Sequence, residues 1–299
     1  MNFCLQSAPD ASTVPTVEAR HRFDYQRCML NARIWSGKLI YGHCGPRTIR
    51  TGPHTLVKFG RSVDEAEADA MRFIAKNTSV PVPKVYSVRK YGGITYIEME
   101  YIRGQEVTYV WHGMSTTARK VLLDDLESYV RQIRNLSPPS PGIVASASGG
   151  RCRDHRFGIR PAGPFATHDE FHRFLRLGDD LWQWEDNYDI VVKSHTKSYV
   201  SKFTHGDLAP RNVMVHKGRI SAIIDWDCAG WRPEYWEVTK AHFASAGTPD
   251  EWLACLKHAT GDLYETQLRA EMKLWTAAES PSCPPRYLDE MYPKPHSTA

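Results

Sequence analysis

Residues 203–216 read Phe203-Thr204-His205-Gly206-Asp207-Leu208-Ala209-Pro210-Arg211-Asn212-Val213-Met214-Val215-His216, and residues 219–227 read Arg219-Ile220-Ser221-Ala222-Ile223-Ile224-Asp225-Trp226-Asp227. Together they set three oxygen-bearing side chains, Asp207, Asn212 and Asp225, at fixed offsets around two β-branched apolar runs. A nucleotide polyphosphate needs divalent cations, and an acceptor hydroxyl must lose a proton as it is phosphorylated. Asp207 suits the proton, and Asn212 and Asp225 suit Mg²⁺, which prefers hard oxygen ligands.

The two runs predict strands joined at Lys217-Gly218. Such a hairpin folds Asp225 back beside Asn212, so that both can reach one ion. The plain alternative gives all three residues local work, Asp207 and Asn212 capping a turn and Asp225 ending a strand. The apolar strand running straight into an Asp makes the functional reading the more specific one. His205 is named with the catalytic candidates, although a buried histidine bracing the loop fits it better than a base, because Asp207 already suits proton acceptance.

The motifs FTHGDLAPRNVMV and AIIDWD, the following AGWRPEYWE, and the upstream PPSPG and CRDHRFG segments resemble the aminoglycoside phosphotransferase-like small-molecule kinases, most nearly their fungal branch. The resemblance spans roughly residues 50 to 245. It implies an α+β, bilobal protein-kinase-like fold: an N-lobe of antiparallel sheet plus one helix over 1–103, and a larger, mostly helical C-lobe over 104–299. It also implies ATP and Mg²⁺ as cofactors and a hydroxylated small molecule as acceptor.

In such a fold a strand lysine binds phosphate and a helix glutamate holds it. Thr55-Leu56-Val57-Lys58-Phe59 has a strand pattern, and Lys58 matches the family lysine. Ser62-x-x-Glu65 predicts a capping box opening the next helix, which gives Glu65 a structural role. Glu65, Asp69, Arg72 and Lys76 share a polar stripe, whereas Glu67 aligns with Met71 and Ile74 on an inward one. A carboxylate on an apolar stripe needs a cation, so Glu67 is the expected partner of Lys58.

The segment 41–52 is the expected nucleotide-covering hairpin. Gly42, Gly45 and Gly52 do not form GxGxxG; Gly42 and Gly45 are the candidates for phosphate contact, with Lys58 and Mg²⁺ carrying much of the positioning. By resemblance, Glu100 and Ile102, after the strand Thr95–Tyr101, supply main-chain hinge contacts to adenine.

Further along, Leu122, Leu126, Tyr129, Val130 and Ile133 predict one buried helix face. The Pro/Gly/Ser-rich stretch 138–166 is too long for an idle loop and is a candidate substrate wall. Thr167-x-x-Glu170 and Thr248-Pro249-x-Glu251 predict helix starts, and Pro233 is expected in the first turn of a helix after Trp231. Residues 179–189 combine acids with aromatics; a solvated helix whose Trp residues pack on the core is the favoured reading over a cation-binding face. Asp227 is either an additional metal or substrate carboxylate or a solvent-facing acid.

Composition bounds the rest. A chain of 299 residues with 41% hydrophobic content can bury two cores. The net charge of +4 is too mild to indicate nucleic acid, and the Lys/Arg excess in the first sixty residues reads as a solvated face before it reads as a polyphosphate attractant. Residues 1–20 are expected to form a loosely docked arm, and 22–41 one or two amphipathic segments. No apolar run predicts a membrane span or signal peptide, and the seven scattered cysteines predict neither disulfides nor a zinc site, so a reduced, cytoplasmic protein without nucleic-acid or membrane partners is expected.

A protein kinase is disfavoured. Trp236 follows Asp225 at an offset of only eleven positions, too few for an activation segment that presents a peptide, and no Ala-Pro-Glu follows. Two alternatives keep the fold: a nucleotide-binding pseudokinase or scaffold, favoured only by the irregular nucleotide loop, and a biosynthetic enzyme that phosphorylates an alcohol to drive elimination or cyclisation.

Overall fold

In this computed structural model the first described element is a single helix, α1 (Tyr25–Tyr41), which lays Leu30, Ile34 and Gly37 against a sheet. Residues 25–277 are described, apart from 159, 185–188, 244–247 and 262–263. The expected N-terminal arm lies outside the described residues. Gly37 permits the docking, because a side chain there would collide with the Arg50 carbonyl.

The sheet contains β1 (His43–Gly45), β2 (Thr48–Gly52) and β3 (Thr55–Gly60), then, after helix α2 (Glu65–Asn77), β4 (Val85–Tyr91) and β5 (Ile94–Glu100). Its order is β1-β2-β3-β5-β4 and every pairing is antiparallel. Lys58 therefore stands in a central strand, opposite Thr48 on one side and Ile97 on the other.

Helix α2 starts two residues later than the capping-box reading predicts. Asp64 is the N-cap and accepts from the Ala66 N–H, while Ser62 Oγ accepts from Arg47 and Glu65 pairs with Lys90. Asp competes well with Ser for this position, since its charged oxygen also complements the helix dipole. The helix faces are as the spacing predicts: Glu67, Ala68, Ala70, Met71 and Ile74 are buried.

A short strand β6 (Gln105–Glu106) and one-turn helix α3 (Val107–Val110) lead to α4 (Thr116–Arg134), capped by Ser115 Oγ on the Ala118 N–H. Leu122, Leu126, Val130 and Ile133 are buried and join Met71, Ile74, Ile97, Phe203, Val213 and Ile223 in one continuous core, with Tyr129 half-buried at its edge. Each such aliphatic side chain contributes about 1.5–3 kcal/mol by leaving water.

The remaining elements are α5 (His168–Leu175), α6 (Asp189–His195), β7 (Ser201–Thr204), β8 (Val213–His216), β9 (Arg219–Ile223), β10 (Gly230–Pro233), α7 (Trp236–Phe243), α8 (Asp250–Thr260) and α9 (Glu265–Ala277). Strands β8 and β9 form the predicted hairpin, with β6 beside β8. Lys217 and Gly218 both take positive φ, as a two-residue hairpin turn requires.

Several expectations need correction. Pro233 ends β10, which pairs with β7, and α7 begins only at Trp236. The backbone of 230–233 satisfies its hydrogen bonds in that ladder and not in a helix. Helix α8 begins at Asp250 with Pro249 as a cap lacking a side-chain bond, so Thr248 caps nothing. Thr167 does cap α5, accepting from Glu170, but Glu170 reaches back to the Ala166 N–H. In 179–189, Trp184 is buried but Trp182 is 69% exposed, so only one of the two described Trp residues packs inward; residues 185–188 lie outside the described residues. Among the described residues no helix is long and apolar enough to cross a membrane, and the described cysteines are free thiols.

Candidate active site

The catalytic-loop motif leaves β7 at Thr204 and turns sharply at Gly206, whose φ is +76°. A Cβ there would lie 2.6 Å from the Cys228 carbonyl oxygen, so glycine is required both for the turn and for contact with the segment after Asp225. His205 bridges the same two segments. Its Nδ1 accepts the Asp207 N–H at 3.2 Å, which leaves Nε2 to donate to the Ile224 carbonyl at 3.0 Å. The ring is fully buried and packs edge-on against Trp226. His205 thus sits as a brace behind the site.

Asn212 donates its Nδ2 to the Asp207 carbonyl at 2.8 Å and to Asp207 Oδ2 at 2.9 Å. Its own carbonyl accepts the Ile224 N–H at 2.9 Å, which brings Asp225 alongside despite thirteen intervening steps in sequence. Asp225 has φ +64° and ψ +59°, a left-handed conformation that costs a non-glycine residue about 1–2 kcal/mol. The strain is held by Trp226, whose indole N–H reaches the Ile223 carbonyl from a fully buried ring.

Lys58 ties the sheet electrostatically to α2 and to the turn after β9. Its Nζ is 2.8 Å from both Glu67 oxygens and 2.5 Å from Asp225 Oδ1. Burial alone would lower the Lys58 pKa, but Glu67, Asp225 and Asp227 outweigh it and hold the ammonium above its ordinary range. For Glu67 burial dominates and pushes the carboxyl up, against the pull of Lys58. For Asp225 burial also pushes upward, yet the adjacent Lys58 wins and holds it below the usual carboxylate range.

The oxygens left over fit a hard divalent cation. Among the described residues, the Asn212 amide oxygen, Asp225 Oδ2 and the half-buried Asp227 carboxylate take no hydrogen bond, and Asn212 and Asp225 are neighbours. Such an oxygen set suits Mg²⁺. Asp227, His155 and Cys228 also bring ligand atoms within 4.8 Å of one another. That trio is a poor soft-metal site, because burial pushes the Cys228 thiol well up and Lys240 Nζ lies 3.4 Å from His155 Nδ1.

The described residues of the 138–166 segment run beside the turn after Asp225, where His155 Nδ1 lies 4.0 Å from Cys228 Sγ. The segment is tied down by bridges Val144–Phe165, Ala145–Trp231 and Cys152–Ala162, and by buried Asp154, which accepts from Trp236 Nε1 and pairs with Lys240 at 3.2 Å. Fully buried Arg232 clamps it to the Asp225 turn, donating to the carbonyls of Ala145, Arg153 and Cys228.

Other candidates lie elsewhere or are occupied differently. Gly42 ends α1, its N–H on the Lys38 carbonyl and its φ positive, so it is a helix terminator and not part of the hairpin tip. Gly45 does lie at the β1–β2 tip, beside Thr48. At the expected hinge, the Glu100 N–H is taken by the Lys84 carbonyl and the Tyr101 N–H by His54, so Glu100 has only its carbonyl to offer and Ile102 follows the end of the strand.

Two residues of the site were not singled out from sequence. Glu237, in the first turn of α7, accepts the N–H groups of His205 at 2.7 Å and Gly206 at 3.1 Å through its two oxygens. Arg211 places Nη2 at 2.7 and 2.8 Å from the two oxygens of Asp207. The available signals were an acid embedded among aromatics in AGWRPEYWE and an opposite charge four residues after Asp207.

A family model described as "Phosphotransferase enzyme family" matches residues 56–275. Solved structures share the fold at low identity. A thermostable mutant of aminoglycoside phosphotransferase APH(4)-Ia, in a ternary complex with ADP and hygromycin B, matches with a TM-score of 0.53 at 16% identity over 78% of this chain and 82% of that one. The streptomycin–ATP–APH(2″)-IIa ternary complex matches with a TM-score of 0.53 at 14% identity over 85% and 87%. ADP-bound APH(2″)-Ib matches with a TM-score of 0.51 at 15% identity over 82% and 86%. No curated protein sequence matches the chain.

Proposed function

The chain belongs to the phosphotransferase enzyme family, and from that premise we propose that it moves the γ-phosphoryl group of ATP to a hydroxyl of a small molecule. As a member of this family it is a small-molecule kinase. The observation that carries the reading is the convergence of Lys58, Glu67 and Asp225 from the sheet, α2 and the β9 turn on one ion-paired cluster, next to Asp207 and Asn212.

In this reading the segment through residue 103 covers the nucleotide and residues from 104 onward carry the catalytic loop and acceptor pocket. Lys58, oriented by Glu67, holds the α- and β-phosphates. Asn212 and Asp225, with Asp227 as a further candidate, hold Mg²⁺, which neutralises phosphate charge when bound. Asp207 orients the acceptor hydroxyl and takes its proton. Its side chain is 5% exposed and oriented by Asn212, so its position is set before the acceptor arrives. His205 and Glu237 hold the loop that carries it. Glu100 and Ile102 present main-chain groups to the base, and Gly45 at the hairpin tip faces the phosphates. The protein acts in the cytoplasm.

The acceptor is a hydroxylated compound such as an antibiotic or secondary metabolite, bounded by the 138–166 wall. The aminoglycosides in the structurally similar complexes belong to those proteins and enter here only as members of the test set. The experiment is an ADP-release screen with Mg-ATP over a library of hydroxylated small molecules. Stimulation by at least one compound, lost in Asp207→Asn, is the expected result; a protein that binds Mg-ATP yet responds to no acceptor would favour a nucleotide-binding scaffold.

A further inference from the structure

The catalytic carboxylate is already engaged. Arg211 Nη2 sits on both oxygens of Asp207, at 2.7 and 2.8 Å, and Asn212 takes Oδ2 at 2.9 Å. A carboxylate offers about four lone-pair sites, so these contacts occupy most of them. The Arg211 side chain is 43% exposed while that of Asp207 is 5% exposed, which places the guanidinium between the carboxylate and solvent. The carboxylate is held by Asn212 as well, and the loop is anchored from behind by His205 and Glu237.

We propose that Arg211 reserves Asp207 for the acceptor hydroxyl by covering its carboxylate against water, so that this residue sets the choice between phosphoryl transfer and ATP hydrolysis. The proposal rests on the kinase reading above. Without the cover, a water oxygen would bond to the γ-phosphorus as the bond to the ADP oxygen breaks, and the water proton would pass to Asp207. With it, Asp207 presents guanidinium and not a free lone pair.

The cover is removable. An ion pair whose cation is nearly half exposed is weakly held in water, so an acceptor bound against the pocket can displace it. Arg211 has a second carboxylate within its field, Glu106 at the start of α3, whose pKa is raised by burial and opposed by the Arg211 charge. Asp207 is the carboxylate with which Arg211 is paired, while Glu106 adds a favourable charge nearby. The short helix α3 and the catalytic loop are thereby linked through one side chain.

Two readouts test this. Acceptor-free ADP release from Mg-ATP is measured for wild type, Arg211→Ala, Arg211→Lys and the double variant Arg211→Ala with Asp207→Asn. In parallel, the nucleotide-free proteins are treated with carbodiimide and glycine ethyl ester, and modification of Asp207 is followed by peptide mass spectrometry. The expected result is at least about a tenfold rise in acceptor-free release for Arg211→Ala, abolished in the double variant, with Arg211→Lys close to wild type. Asp207 modification should rise in Arg211→Ala.

Equal or lower release in Arg211→Ala with Mg-ATP affinity intact, or unchanged modification of Asp207, overturns the proposal. A fall would mean that Arg211 assists the transferring phosphoryl group and does not guard the base. If no protein binds Mg-ATP, the kinase reading itself fails, while the labelling experiment still reports separately whether Arg211 covers Asp207.

Discussion

Glu237 holds the catalytic loop from behind: its two oxygens accept the consecutive N–H groups of His205 and Gly206 from a position only 3% exposed. Burial pushes its carboxyl up, and those two donors pull it back toward ionisation. Glu237 touches no expected substrate, so it is a positioning residue whose removal should displace Asp207 indirectly.

Glu237→Ala leaves two buried N–H groups without acceptors, at about 1–3 kcal/mol each. The expected outcome is a lower urea midpoint together with loss of transfer. Glu237→Gln retains one acceptor and should keep Mg-ATP binding near wild type while lowering turnover. Calorimetry and turnover on the same preparations check this, and wild-type turnover in Glu237→Ala would remove the assigned role.

Lys58 stands between two carboxylates, so Lys58→Met leaves Glu67 buried without its cation. Breaking a buried pair by deleting one partner costs about 3–5 kcal/mol, here reduced to the extent that Glu67 takes up a proton. Burial pushes Glu67 up to about 7, so near neutral pH protonation is readily available. The prediction is a protein that folds but binds Mg-ATP at least tenfold more weakly, roughly the loss of one charge-assisted contact.

The histidines of the C-terminal region predict a pH response unconnected with catalysis. Burial pushes His168 down to about 4 and His172 to about 3, and drives His195 well below its ordinary value. His172 and His195 stack at 4.1 Å, with Arg176 donating to His195 Nδ1 at 2.7 Å, so both rings are neutral. A depressed folded pKa means that the unfolded chain binds more protons below about pH 6.5, so stability falls as pH drops through that value towards 4 and 3. At pH 5.5 a group shifted as far as His172 costs about 1.4 kcal/mol relative to neutral pH. Urea unfolding at pH 7.5 and 5.5 should show the loss, and His172→Phe should lessen it; equal stabilities at the two pH values would contradict the neutral stack.

The β8–β9 hairpin, the α2 and α4 faces and the Lys58–Glu67 pair were legible because each follows from a local period or a local charge requirement. The β-branched alternation before Asp225 and the inward stripe carrying Glu67 are properties of short windows. What escaped reading depends on where distant segments meet. Asp64 displaced Ser62 as cap because Ser62 had a partner in Arg47, a contact no helical period encodes. Pro233 went to a strand because β7, thirty residues earlier, was there to pair with it. Glu237 escaped for the same reason, its role being visible only once the loop has closed on α7, whereas Arg211 lies only four residues from Asp207 and was legible as a local opposite charge.

The central claim is a magnesium-dependent nucleotide site built on Lys58, Asn212 and Asp225. Isothermal calorimetry of ATP with and without Mg²⁺, on wild type and Asp225→Ala, tests it most directly. The account predicts binding by wild type that requires Mg²⁺ and a loss of at least about tenfold in Asp225→Ala, the share of one charged metal ligand. Absence of binding by wild type in either condition, or an Asp225→Ala affinity equal to wild type, would contradict it.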